Sequence, residues 1–340
     1  MPALIRVALL KRLFDEPDDE RKFHTRRIPT IGGILIFAGT LFSFAIWFPI
    51  QDIHDYQEIL KAVDDFKYII ATILVLFFIG IKDDIIGTAP VKKLAGHIIV
   101  GMVLVLMADV RISGFHGIFG IFAVSYWASV FLSLFTYIVI VNAFNLIDGV
   151  DGLAGGVGLI AALAFAAWFY FAGDEVMASL ALAVAGSLLA FLIFNFSPAK
   201  IFMGDSGSLS IGLILCVLAL KMIEFDKVNL NPVVADISKP VFAMSVLVYP
   251  LIDTLRVFIY RSLKGLSPFA ADRNHIHHKL MDMGLGHKGT VICIYVATIF
   301  IITLAVITQK LSHTYSFLIV AGSAIALSQI PFIISNRRQK

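Results

Sequence analysis

The chain has 340 residues, 59% of them hydrophobic and only 15% charged, and a formal net charge of +3. Soluble domains carry about 45–50% apolar and about 25% charged residues, so a disordered chain, a secreted disulfide scaffold and an ordinary soluble enzyme are excluded. At roughly 20 apolar residues per crossing helix, about 200 apolar residues furnish about ten membrane spans.

The first 14 residues are interrupted by Arg6, Lys11 and Arg12 and are too short in apolar content for a cleavable signal peptide. They read either as a basic interfacial helix or as the remnant of an earlier span before Met1, inside a polar N-terminal segment 1–30. Apolar runs then follow at 31–49, 67–82, 94–109, 121–147, 153–172, 176–194, 207–224, 240–260, 289–309 and 314–335. Each is too long for a buried strand, and none alternates polar and apolar residues as a barrel strand does. The expected fold is therefore all-α and polytopic, about ten transmembrane helices in one membrane-embedded domain over 1–340. Cys216 and Cys293 fall inside apolar runs and read as packing residues.

Ten spans place both termini on one side. The loops of that side (1–30, 83–93 with bordering Lys82, 148–152, 195–206, 261–288 and 336–340) hold most of the 27 Lys and Arg residues. The positive-inside rule puts them, and both termini, in the cytoplasm, and the cell inner membrane is the expected location. Nearly all of the polar sequence that carries chemistry lies on this same side.

Asp83 and Asp84 close the second span. Two carboxylates at a helix C-terminus oppose the macrodipole and repel one another. Compensation by Lys82, Lys92 and Lys93, by a metal or by a raised pKa is expected, a solvated helix end being the plain alternative. The fourth span runs into Asn142-Ala-Phe-Asn145-Leu-Ile-Asp148-Gly-Val-Asp151-Gly. Glycines there allow close approach of a ligand. Asp151 is also a reasonable N-cap for the next helix, and Gly152 with Gly156 a small-residue packing pair. Asn142, Asn145 and Asp148 have no such plain explanation.

Between the sixth and seventh spans lie Asn195, Lys200, Gly204, Asp205, Gly207 and Ser208. Asp205 is expected to cap the next helix. Gly207 and Ser208 offer free amides at its positive end, which suit an anion, with a carboxylate beside them for a divalent cation and Lys200 as a point charge for phosphate. The loop 261–288 carries Arg273-Asn-His275-Ile-His277-His278. Its histidines lack the i, i+4 spacing of a helical zinc pair, and no cysteine is near. A phosphate-binding or proton-donating cluster fits better than zinc; a solvated loop is the plain reading. Asp253 and Arg256 share a face of the eighth span near Pro250, as an internal ion pair or as catalytic groups.

Hard oxygen ligands favour magnesium or manganese, and with Lys, Arg and His they are the equipment of phosphoryl transfer. Four motifs in this order, Lys82-Asp83-Asp84-Ile-Ile-Gly87, the Asn142–Asp151 stretch, Asn195 through Ser208 and His275-Ile-His277-His278, resemble those of the polyprenyl-phosphate N-acetylhexosamine-1-phosphate transferases. The resemblance extends from Arg21-Lys22-Phe-His24 and Pro29-Thr-Ile-Gly-Gly33 to the last span. It implies Mg²⁺-dependent transfer of a sugar 1-phosphate from a UDP-N-acetylhexosamine to undecaprenyl phosphate, with release of UMP.

By position, the resemblance makes Asp205 the metal ligand and Asp83 the activator of the lipid phosphate, with Asp84 beside it. It makes Asn145, Asp148 and Asp151 donor-site residues with Asn142 and Asn195 near them. His275, His277 and His278 become diphosphate-side histidines, flanked by Arg273. Gly87 in place of a lysine, and an interrupted histidine run, favour UDP-N-acetylglucosamine over the UDP-MurNAc-pentapeptide donor. Membrane lipid is the expected surrounding partner and a homodimer an allowed assembly; no nucleic-acid partner is expected. The rival from another class is a cation- or proton-coupled transporter, which calls for charge near mid-span.

Overall fold

A computed structural model of the chain describes residues 2–10, 28–51, 53, 55–226, 230–266 and 274–338. The described residues form helices α1 (Pro2–Leu10), α2 (Gly32–Ile46), α3 (Tyr56–Ile86), α4 (Pro90–Met102), α5 (Tyr126–Leu146), α6 (Leu153–Ala172) and α7 (Glu175–Asn195). There follow α8 (Gly204–Ile223), α9 (Pro232–Ala235), α10 (Lys239–Val246), α11 (Val248–Leu263), α12 (Ile276–Leu280), α13 (Gly286–Ile307) and α14 (His313–Arg338). A π turn, Val103–Met107, extends α4, and another, Met281–Leu285, joins α12 to α13.

All ten apolar runs fall on helices. Seven helical stretches are long and apolar enough to cross a membrane, eight if the α10–α11 pair counts as one. The other two runs differ in kind. Helix α2 has only 15 residues. Helix α3 has 31, about 46 Å at 1.5 Å per residue, well beyond the roughly 30 Å of hydrocarbon. Its charged ends, with Asp83 and Asp84 at one of them, are therefore free to stand outside the apolar layer.

The eighth run, 240–260, is not one straight helix. Helices α10 and α11 meet at Leu247 with a bend of 76°. Pro250 has no N–H for the Val246 carbonyl, and its ring crowds that carbonyl, which is the ordinary cause of such a break.

Helix α8 is the axis of the bundle. Ninety-four per cent of its apolar window is buried, against 22% for α14 and 28% for the stretch containing α4. It packs on α2, α3, α5, α6, α7 and α10. A helix apolar on every side and enclosed by others has its ends fixed by neighbours, and α3 approaches the first turn of α8 very closely. An ideal Cβ on Gly80 would lie 2.5 Å from Ser206 Cα and 2.6 Å from Ser206 N. The segment before α2 adds to this grip: Phe202 N donates to the Pro29 carbonyl (2.7 Å), and Gly32 N and Gly33 N donate to the carbonyls of Phe202 (2.9 Å) and Met203 (2.8 Å).

Gly80→Ala should therefore destabilise the solubilised protein by about 1–3 kcal/mol, the usual cost of overpacking. Gly186→Ala on α7, where an added Cβ meets nothing within 4 Å, should leave Tm unchanged or raised. Equal melting temperatures for the two variants would show that α3 and α8 are not in this contact.

Candidate active site

The two carboxylates that end α3 point about 100° apart around the helix and do different things. Asp84 reaches the start of α8, where its oxygens accept from Asp205 N (2.7 Å) and Ser206 N (3.0 Å). The negative charge that is unfavourable at the end of α3 is favourable at the positive end of α8. Gly204 makes this contact possible. It is left-handed (φ 72°), and a Cβ there would lie 2.3 Å from the Thr30 carbonyl oxygen and 2.8 Å from the Asp84 oxygens. From the sequence, Asp205 is a candidate cap for α8, and Gly207 with Ser208 offer free amides for an anion. The cap is a carboxylate from another helix: Asp84 takes the amides of Asp205 and Ser206 and leaves the Asp205 side chain to its own partners, Lys93 and Asn145.

Asp83 turns toward Lys93, whose ammonium lies 3.2 Å from it and also bonds Asp205. Lys93 sits in the first turn of α4, where a cation is disfavoured by the helix dipole; the two acidic side chains offset that. Lys82 and Lys92 are exposed, so Lys93 is the lysine that compensates Asp83. Asn145, at the end of α5, donates to Asp205 Oδ1 (2.8 Å) and to Ser208 Oγ (2.9 Å). One compact cluster, Asp83–Lys93–Asp205–Asn145, thus joins the ends of α3, α4, α5 and α8.

Asp148 lies in the turn between α5 and α6. Burial, then the charges of Asp205 and Asp84, push its carboxyl well above the usual carboxylate range, and the Gly204 N–H only partly offsets them. Asp151 is not the N-cap of α6. Gly152 precedes that helix in a left-handed conformation, while Asp151 accepts from Ala199 N (3.0 Å) and lies 3.9 Å from His287 Nδ1. Asn195 clamps the same two loops, accepting from Gly152 N and donating to the Ile201 carbonyl, both at 2.9 Å. Asn142 donates to Ile138 O of its own helix (2.7 Å), and Lys200 is exposed. Gly156 serves an incoming ring more than a helix: the Tyr295 hydroxyl passes over it to donate to the Gly152 carbonyl.

The histidine motif opens α12. His275 and His277 are 6% and 1% exposed and stack with centroids 5.3 Å apart; His278 is half-buried, its ring 4.3 Å from that of His277. A Cβ on Gly149 would lie 3.6 Å from His277 Nε2, so His277 reaches the turn that holds Asp148. Arg273 lies outside the described residues, as do Arg21, Lys22 and His24. The expected pairing of Asp253 with Arg256 along α11 gives way to other contacts. Both Asp253 oxygens serve the histidine segment, and the Arg256 guanidinium lies 3.6 Å from the centroid of the Phe332 ring. Sequence reasoning passed over Tyr249 and Tyr295, which carry no motif signal.

A divalent ion fits this donor set in a particular way. Among the described residues no three His, Cys, Asp or Glu side chains converge to hold a metal by themselves. Two carboxylates, Asp83 and Asp205, already share one cation. Magnesium is commonly bound by one or two carboxylates, with water and substrate phosphate completing its shell. Asp205 and Asp83 would hold such an ion.

Two solution measurements check this arrangement. Asp84→Ala leaves two helix-end amides without an acceptor and should cost about 1–3 kcal/mol, seen as a lower Tm, whereas Asp83→Ala should change Tm little. A like loss for both would contradict the division of labour. The folded Asp148 carboxyl holds its proton to higher pH than the unfolded one. Between those two pKa values the folded state binds more protons, so stability falls as pH rises. The Tm of the unmutated protein relative to Asp148→Asn should therefore decline from acid to neutral pH; a flat difference would refute the assignment.

Residues 66–223 match the family described as Glycosyl transferase family 4. The chain is 30% identical over 314 residues to the undecaprenyl-phosphate alpha-N-acetylglucosaminyl 1-phosphate transferase of Escherichia coli O157:H7, covering 89% of this chain and 78% of that protein. It is 33% identical over 293 residues to the decaprenyl-phosphate N-acetylglucosaminephosphotransferase of Mycolicibacterium smegmatis, covering 81% and 70%. With the acidic cluster and the helical membrane architecture, these similarities make the chain a member of the polyprenyl-phosphate N-acetylhexosamine-1-phosphate transferase superfamily.

Proposed function

We propose that the protein transfers N-acetylglucosamine 1-phosphate from UDP-N-acetylglucosamine to undecaprenyl phosphate, releasing UMP, in the first membrane step of cell-envelope glycan synthesis. The observation that carries this reading is the Asp83–Lys93–Asp205–Asn145 cluster at one end of a helical bundle. Relatives named for polyprenyl-phosphate acceptors and N-acetylglucosaminyl phosphate transfer support it. The excess of Lys and Arg on the same loops supports a site facing the cytoplasm at the inner membrane.

The net reaction forms a bond between a lipid-phosphate oxygen and the sugar-bearing phosphorus of the donor. The bond from that phosphorus to the bridging oxygen breaks, and UMP leaves with that oxygen. A phosphate monoester has its second pKa near 6, so the acceptor is largely a dianion at neutral pH and needs no strong base. The task is to bring two anions together. Bound Mg²⁺ would neutralise diphosphate charge in this reaction.

Lys93 supplies one fixed positive charge within reach of both carboxylates, and Asn145 holds Asp205 in one orientation. Asp84 keeps the α8 start in place without occupying the cluster. In this reading His277, whose Nε2 lies by the Gly149 turn, and His278 beside it donate to phosphate oxygens of the donor.

Purified protein with undecaprenyl phosphate, UDP-N-acetylglucosamine and Mg²⁺ should release UMP, and a chelator should stop it. Asp205→Asn should lower the rate by about 100-fold, comparable to losing one electrostatic contact in a preorganised site. Mass identification of the lipid product across UDP-sugar donors decides the sugar. An unchanged rate in Asp205→Asn, or UDP-MurNAc-pentapeptide as the preferred donor, would overturn the corresponding part of the reading.

A further inference from the structure

Asp253 stands on α11 just beyond the bend and is fully buried. One oxygen lies 2.7 Å from His275 Nδ1, and the other accepts from Ile276 N at 2.7 Å. Four residues earlier on the same helix, the Tyr249 hydroxyl lies 3.1 Å from His277 Nδ1. Residues 249 and 253 are an i, i+4 pair, so both act from one face of α11. The 76° bend at Leu247 is what turns that face toward the histidine segment.

A buried carboxylate is costly unless every lone pair is used. Here it is used twice, on a ring N–H and on a helix-start amide. The carboxylate accepts only, so a neutral His275 must carry its proton on Nδ1 and present a lone pair at Nε2. His275 lies parallel to His277 (interplanar angle 9°) and so forms one wall of its site, the Tyr249 hydroxyl meets His277 Nδ1, and His277 Nε2 lies by the Gly149 turn.

We propose that Asp253, with Tyr249 beside it, is a positioning residue for transfer: it fixes the tautomer of His275 and pins the first turn of α12, so that His277 and His278 face the Asp148 turn. The proposal rests on the transferase reading and extends it to two residues outside the motifs. Asp253 does not touch substrate. It acts through the histidines. Among the described residues, the titratable and charged groups facing the stacked rings include Asp253 and Tyr249 from α11, with Arg256 on the same helix near Tyr249, and His278 from α12.

Asp253→Asn separates positioning from folding. The amide oxygen can still accept from Ile276 N, while the NH₂ group donates to Nδ1 and moves the ring proton to Nε2, as amide substitution of the triad aspartate does in serine proteases. The expected result is a Tm close to that of the unmutated protein, a kcat for UMP release lowered about 10- to 100-fold, and little change in KM. In a cycle with His275→Gln, the double variant should be no slower than His275→Gln alone, because both remove the same function. Additive losses, or an unchanged kcat in Asp253→Asn, would overturn the proposal.

A second readout needs neither substrate nor a folded Asp253 variant. In ¹⁵N-histidine NMR spectra of the unmutated protein, the signal lost in His275→Gln should report a proton on Nδ1. A proton on Nε2 would sink the tautomer assignment. This arm stands apart from the transferase reading, whose own failure would show as absent UMP release by the unmutated protein.

Discussion

The contact on which the site depends is the bond between the carboxylate of Asp84 and the amides that start α8. A helix start in an apolar bundle has unsatisfied N–H groups and little water to serve them. Supplying a carboxylate from α3 satisfies two of these donors and locks the two helices in register. Every other group in the cluster is placed by that register: Asp205 in the first turn of α8, Asp83 one residue before Asp84, Lys93 after the short turn that follows α3. The close approach at Gly80 and the left-handed backbone at Gly204 serve the same contact.

Once that contact is made, the local charge balance follows. Asp83 and Asp205 share one ammonium, that of Lys93, the neutral Asn145 donates to Asp205, and Asp148 lies in the adjoining turn within the field of Asp205 and Asp84. Acidic groups exceed basic ones; burial first, and then the charges of Asp205 and Asp84, raise the pKa of the Asp148 carboxyl. Such a place favours a further cation and the phosphate that accompanies it. Preorganisation here means holding like charges close before a ligand arrives, with the cost borne by the packing around α8.

The histidine segment repeats the device at the beginning of α12. There too a buried carboxylate from a different helix takes a helix-start amide, and it spends its other oxygen on a ring nitrogen. In both places a long-range capping bond converts a helix end into a fixed platform for functional side chains. Asn195, which ties the α6 start to the loop before α8, extends the same logic with an amide.

The sequence by itself determined the helical membrane class, the positions of the ten apolar segments and the polar motifs from which the acidic cluster and the histidine segment are built, because apolar run length and clustered polar groups are local signals. Lys93 and Asp84 were visible, but which of them answered which charge was not. Partner choice between helices depends on packing that no single segment encodes. The tertiary structure alone decided that Asp84 caps α8, that Asp151 binds the Ala199 amide instead of capping α6, and that Asp253 serves His275 instead of pairing along its own helix. Each is a bond between residues far apart in the chain, formed because an apolar interior leaves buried donors and acceptors few partners except one another.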